Sequence, residues 1–176
     1  MPQTDPPSID SCIIRPGLVD DATGINAIYN YYVCHTVFTF EVSPWDEPRR
    51  RSWIQQITAA PNQFLVVASQ GERIAGFACN SRFRPKAAYD SSTEVTVYTL
   101  PDEAPKGTGS RLYGALFARI EMTPLHRAYA AIALPNPGSI RLHEKFDFRH
   151  VGTLDQVGTK FGERVDVAWY EKPLER

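Results

Sequence analysis

Between Glu94 and Phe146 the chain twice passes from an apolar, strand-like run through a short loop into an amphipathic helix. This doubled unit restricts the fold more than any other feature. Glu94-Val-Thr-Val-Tyr-Thr-Leu100 is rich in β-branched and aromatic residues. Ser110 to Met122 then carries Leu112, Leu116, Phe117 and Ile120 at helical spacing. Ala128 to Leu134 reads as a buried strand and Gly138 to Phe146 as a short helix. Such alternation predicts a mixed α/β fold.

The flanking sequence agrees. Cys12 to Arg15 is a short strand ended by Pro16-Gly17, after which Asp20 and Asp21 offer an N-cap and an acidic first turn. Ile25, Ile28, Tyr29, Tyr32 and Val33 follow the stripe of an amphipathic helix. A second helix is expected from Glu47 to Ala59, with Trp53, Ile54 and Ile57 on one face and Arg49-Arg50-Arg51 on the wet side. Gln63 to Ser69 and Ile74 to Asn80 form strands joined by a turn at Gln70 to Arg73, and strands at Arg149 to Leu154 and Val165 to Tyr170 complete the pattern. The predicted order is β-α-α-β-β-β-α-β-α-β-β, without an internal repeat. Residues 1–11, with three prolines, are expected to be a flexible tail, and 12–176 a single domain, as the length of 176 residues allows.

Composition narrows the function. Hydrophobic residues at 43% supply one core, and 19 Lys and Arg against 20 Asp and Glu give a net charge of -1. Such balance leaves no field to steer the chain to nucleic acid or an anionic membrane. No apolar run approaches the roughly 18 residues of a membrane span, and the first residues lack the pattern of a signal peptide. Cys12, Cys34 and Cys79 lack CxxC spacing and read as free thiols, which points to the cytoplasm. The four histidines show no metal-ligand spacing, so no metal is expected.

Four segments could carry chemistry. Lys106-Gly107-Thr108-Gly109-Ser110 joins a strand to a helix. Its glycines allow close backbone approach, and a helix start leaves N–H groups facing out, which together suit a pyrophosphate. It matches neither a P-loop nor GxGxxG, and alone it is equally a simple glycine turn. Glu94, at the head of its strand, is a base if it lies in a cleft and a solvated strand end otherwise. His143, between Leu142 and Glu144, is a base or a structural histidine. Arg82-Phe83-Arg84-Pro85-Lys86, followed by Tyr89, suits a small anion or is a solvated basic loop. Cys34-His35 is no catalytic pair, because adjacent helical side chains diverge.

Taken together and in order, IYNYYV (28–33), TFE (39–41), RPKAAYDSSTEVTVY (84–98), KGTGSRLY (106–113), LPNPGSIRLHEKF (134–146) and VGTLDQVGTKFGERVDV (151–167) resemble the GCN5-related N-acetyltransferases. They look most like the branch containing phosphinothricin and methionine sulfoximine acetyltransferases. The resemblance implies a mixed, mostly antiparallel twisted sheet flanked by helices and splayed between the strands at 94–100 and 128–134. It implies acetyl-CoA as co-substrate, its pantetheine arm along Val97, Tyr98 and Thr99 and its pyrophosphate on Lys106 to Ser110, with Asn136 near the thioester. It places proposed general bases at Glu94 and His143, and substrate-lining positions at Phe40, Arg84, Lys86 and Tyr89. It further implies a small-molecule amine as acceptor and a homodimer. Two departures stand out. Ala104 and Pro105 occupy positions where relatives carry a phosphate-facing Gln or Arg and a free N–H. Asp147 stands where many relatives have the glycine that ends the short helix, at an expected small cost in stability.

Direct acetyl transfer to a primary amine needs no enzyme nucleophile, and strand N–H groups near Val97 would polarise the thioester carbonyl. An acceptor of another kind, such as a polyamine, an aminoglycoside or a protein N-terminus, fits the same fold. A non-catalytic acyl-CoA-binding protein is the reading from a different class.

Overall fold

The computed structural model describes residues 12–174. The tail expected over residues 1–11 lies outside the described residues. The elements are β1 (Ile13–Pro16), α1 (Ala22–His35), α2 (Glu47–Ala59), β2 (Leu65–Gln70), β3 (Arg73–Arg82), β4 (Ser92–Thr99), α3 (Thr108–Ile120), β5 (Arg127–Ala133), α4 (Pro137–Lys145), β6 (Arg149–Lys160) and β7 (Glu163–Pro173). Their order is the predicted one. The strands form one sheet, β1-β2-β3-β4-β5-β7-β6, antiparallel throughout except between β4 and β5.

Alternation along the strands sends successive side chains to opposite faces. On one face Ile25, Ile28, Ile54 and Ile57 of α1 and α2 pack on Leu65, Val67, Phe77 and Cys79. On the other, Leu112, Leu116 and Ile120 of α3 pack on Val66, Ala78, Val95, Ala128 and Ala130, with Ile140 and Leu142 of α4 against the same cluster. Full burial of each such side chain contributes about 1.5–3 kcal/mol.

The parallel pair is the part of the sheet that makes a site. β4 and β5 are in register only at Ser92–Arg127, Thr93–Ala128 and Glu94–Tyr129. Beyond Glu94 the strands diverge, β4 running to Thr99 and β5 to Ala133, so the backbone edges facing the gap lack a strand partner. The sheet forks where the resemblance places the splay.

Three local expectations are corrected. Asp21 occupies the N-cap position of α1 but makes no side-chain cap bond. Its carboxylate instead accepts two bonds from Arg15, at 2.7 and 2.8 Å, and one from the Leu18 N–H, and a 3-10 turn at Val19–Asp21 leads into the helix. The last hairpin reaches Lys160 and Glu163, past the predicted ends, because bulges at His150/Gly152 and Leu154/Gly158 interrupt the alternation that marks a strand. Arg50 is not on the wet side of α2. It is only 1% exposed, its guanidinium caged by Trp45, Tyr29 and Trp53 at 4.3, 4.6 and 4.7 Å from the ring centres. Its charge is held by ring faces and by the Asn26 side chain at 3.3 Å, and burial pushes its pKa down to about 10.

Candidate active site

A cavity of about 490 Å³ fills the fork. One wall is β4 from Val95 to Thr99, and the other is β5 from Ala130 to Ala133. The α3 start and α4 close the ends through Gly107, Thr108, Gly109, Ser110, Asn136, Ser139 and His143. Every residue assigned to the cofactor by resemblance therefore lines one space, except Lys106.

The α3 end has the features of an anion seat. Gly107 is the N-cap in the left-handed conformation, with φ of 84°, and nothing lies where a Cβ would stand. Arg111 donates to the Gly107 carbonyl, the start of the helical ladder, so the first-turn N–H groups at Gly109 and Ser110 precede any intrahelical acceptor. The positive end of the helix dipole points into the cavity. Lys145, at the end of α4, brings its ammonium to the Ser110 hydroxyl at 3.0 Å. Sequence reading missed Lys145 because only the packing of α4 beside α3 brings it there. Asn136 caps α4, its side chain accepting from the Ser139 N–H at 3.1 Å.

Glu94 sits at the vertex of the fork, the last residue of β4 paired with β5. Its side chain is 30% exposed and lies 3.7 Å from Arg84. Burial raises its pKa, and the Arg84 charge opposes that shift. Arg84 is itself placed by aromatic rings, 4.3 Å above Phe83 and 5.3 Å from Trp169, and bonds the Phe83 carbonyl at 2.7 Å. Phe83 stacks on Tyr129 at 4.4 Å, and Tyr89 meets it edge-on at 5.8 Å. Lys86 is exposed, its carbonyl accepting from the Tyr89 N–H. The Phe40 ring packs against Gly158 of β6. The sequence had singled out Arg84, Lys86 and Tyr89, but Tyr129 and Trp169 come from strands too distant in the chain to be linked with them.

His143 is 3% exposed and belongs to the other face of the sheet, among Tyr113, Phe148 and Tyr170. Its Nδ1 lies 2.8 Å from the Ser139 carbonyl, which can only accept, so Nδ1 carries the proton. Nε2 then accepts from the Tyr113 hydroxyl at 2.8 Å. Burial lowers the imidazole pKa, and the Ser139 carbonyl opposes that shift. The structure thus does not bring Glu94 and His143 together. A carboxylate stands on the α1/α2 side of the fork, and a neutral imidazole on the α3/α4 side.

A sequence model of a protein family, described as Acetyltransferase (GNAT) domain, matches residues 15–169. The chain belongs to the GNAT acetyltransferase family. Among its relatives, a phosphinothricin N-acetyltransferase of Streptomyces coelicolor is 45% identical, covering 92% of this chain and 95% of the relative. An L-methionine sulfoximine/L-methionine sulfone acetyltransferase of Pseudomonas aeruginosa is 33% identical over 94% of this chain and 96% of the relative. A GNAT phosphinothricin acetyltransferase from Sinorhizobium meliloti, solved in complex with acetyl-CoA, superposes with a TM-score of 0.86 at 29% identity, covering 93% and 88% of the two chains. This GNAT chain is an acetyl-CoA-dependent N-acetyltransferase. The cavity in its fork fits such a cofactor: an elongated thioester meets a free strand edge on one side and an anion seat at one end. Among the described residues no cluster of His, Cys, Asp and Glu could hold a metal, and no helix is long and apolar enough to cross a membrane.

Proposed function

We propose that this enzyme transfers the acetyl group of acetyl-CoA to the primary amine of a small amino-acid analogue of the phosphinothricin or methionine sulfoximine type. The observation that carries the reading is Glu94 at the vertex of the fork with Arg84 beside it, a base next to an anion-binding group. The activities named for the Streptomyces coelicolor and Pseudomonas aeruginosa relatives support it.

The pantetheine arm runs along Val97, Tyr98 and Thr99, with Asn136 near the thioester and the diphosphate on Gly107, Thr108, Gly109 and Ser110. Lys106 precedes that seat in the chain, and Lys145 supplies the charge that Ala104 lacks. The acceptor arrives mostly as an ammonium, since an α-amino group titrates at about 7.7–8.0, and each pKa unit to be overcome costs about 1.4 kcal/mol. Glu94 takes that proton, directly or through water. The amine nitrogen bonds to the thioester carbon, N–H groups of β4 near Val97 hold the developing oxyanion, and the C–S bond breaks as the proton shed by the nitrogen passes to the departing thiolate. His143 assists from the cofactor side, where its Nε2 accepts from the Tyr113 hydroxyl and both residues line the cavity. Arg84 and Lys86 hold the acceptor's carboxylate or its phosphinate or sulfoximine head, and Phe40 and Tyr89 shape the slot.

Residues 12–176 act as one catalytic domain, in the cytoplasm and as a homodimer. The edge strand β6 supports the dimer, because it leaves Val151, Leu154 and Val157 at 57%, 46% and 53% exposure beside unpaired backbone.

Substituting Arg84→Met tests the acceptor assignment. The expected result is a rise of about tenfold or more in the KM of phosphinothricin, with the KM of acetyl-CoA unchanged, because a charge-assisted bond to the acceptor is lost. Equal effects on both substrates would contradict it.

A further inference from the structure

Lys160 is a buried cation that the acetyl transfer does not use. It ends β6, is 3% exposed, and makes no ion pair among the described residues. Its ammonium donates to the Thr39 carbonyl at 2.7 Å and to the Tyr32 carbonyl at 3.4 Å, and Phe161 covers it at 5.1 Å. Burying an ammonium against neutral acceptors is costly, so the contact must be over-determined by its surroundings. Tyr32 lies in the last turn of α1, at the negative end of the helix, and its carbonyl also accepts from the Thr36 N–H at 3.2 Å and the Thr36 hydroxyl at 3.0 Å. Thr39 lies in the segment between α1 and α2.

That segment is fixed from three directions. The Thr39 hydroxyl bonds the Tyr29 hydroxyl at 2.8 Å, and the Phe38 carbonyl accepts from Tyr98 of β4 at 3.3 Å. Lys160 supplies the third contact, from the far edge of the sheet. The next residue is Phe40, whose ring occupies the place where a Cβ on Gly158 would stand. Gly158 and Lys160 are two apart on β6, so one short stretch of the edge strand both receives the Phe40 ring and grips the backbone just before it.

We propose that Gly158 and Lys160 are positioning residues that set the width of the acceptor slot through Phe40. The inference rests on Phe40 forming a wall of that slot. Gly158, Lys160 and Phe40 do not line the cofactor cavity, whereas Tyr32, whose carbonyl Lys160 binds, and Phe38, beside Thr39, do. Gly158, where a Cβ would meet the Phe40 ring, therefore isolates the effect on the acceptor. Between them the slot is adjustable: the edge strand, and not the loop bearing Phe40, decides how bulky an acceptor side chain fits.

The test is steady-state kinetics of the full chain with phosphinothricin and acetyl-CoA varied separately, for Phe40→Ala, Gly158→Ala, Lys160→Met, Lys160→Arg and the double substitution Phe40→Ala with Gly158→Ala. Gly158→Ala is expected to raise the KM of phosphinothricin about tenfold and leave that of acetyl-CoA within about twofold. Lys160→Met is expected to raise the KM of phosphinothricin about tenfold, and Lys160→Arg to recover most of that loss. In the Phe40→Ala background Gly158→Ala should have no further effect, because the ring it displaces is gone. If Lys160→Met fails to fold, the Gly158 and Phe40 cycle decides alone. A change at Phe40→Ala with none at Gly158→Ala overturns the proposal and leaves the slot reading intact. No change at Phe40→Ala removes Phe40 from the slot, and the proposal falls with it.

Discussion

Glu94 and Arg84 are coupled, and that coupling has a measurable sign. Burial raises the Glu94 pKa and the Arg84 charge opposes it. The proposed mechanism uses ionised Glu94, so it predicts that activity is lost as pH falls through this raised value and that the acid limb of kcat/KM lies above the ordinary carboxylate range. Removing Arg84 removes the opposing charge, so Arg84→Met moves that limb to higher pH. Glu94→Gln removes the group altogether and lowers kcat/KM by about 10²–10⁴-fold, the usual contribution of a positioned base. A pH profile of the three proteins checks this, and an Arg84→Met limb that stays in place or moves to lower pH contradicts it. At this scale the sequence was legible in position where a motif carried the residue: Asn136 and Gly107 line the cavity, and Glu94 ends the stretch of β4 paired with β5. Arg50 was not, although Arg50, Ile54 and Ile57 keep the i, i+4, i+7 spacing of a buried stripe. Its charge argued for solvent, and the three rings that cage it could not be seen without the fold.

Among the elements, α4 holds both Asn136 at its start and His143 near its end, so its termination bears on the site. Asp147 ends it with φ of 63°, a left-handed conformation that costs an L residue roughly 1–2 kcal/mol, although Asp tolerates it better than most. The Phe148 N–H then returns to the His143 carbonyl at 3.1 Å. Against this stands an exposed contact between Asp147 and Lys172 at 3.5 Å, of the kind that contributes little. Asp147→Gly is therefore expected to stabilise the protein by about 0.5–1 kcal/mol, seen as a rise of about 2 °C in Tm by calorimetry; a fall in Tm would show that the ion pair outweighs the strain. The β6–β7 hairpin was the element least legible in sequence. Gln156 has φ of 47° and gives its N–H to the Asp166 carboxylate at 2.8 Å, a bulge that reads as a loop because strand prediction depends on unbroken alternation. That hidden extension carries Gly158 and Lys160 to the Phe40 segment.

For the whole molecule, the fork comes from one topological choice. The single parallel pair in an otherwise antiparallel sheet stays in register for three residues and then opens. The strand–loop–helix units between Glu94 and Phe146 announced this arrangement, since each strand leads to a helix that covers the same face. Which amine enters is a different matter, because the net charge of -1 gives no long-range preference and the residues gathered around Glu94 and Arg84 come from β4, β5, β7 and the connection between β3 and β4. The most direct test of the central claim is release of free thiol from acetyl-CoA, followed with a thiol reagent across phosphinothricin, methionine sulfoximine, methionine sulfone, spermidine and an aminoglycoside. Saturable turnover with phosphinothricin or the methionine analogues, and little with the polycations, is the predicted result. Turnover confined to the polycations, or none with any amine while acetyl-CoA still binds by calorimetry, would contradict it.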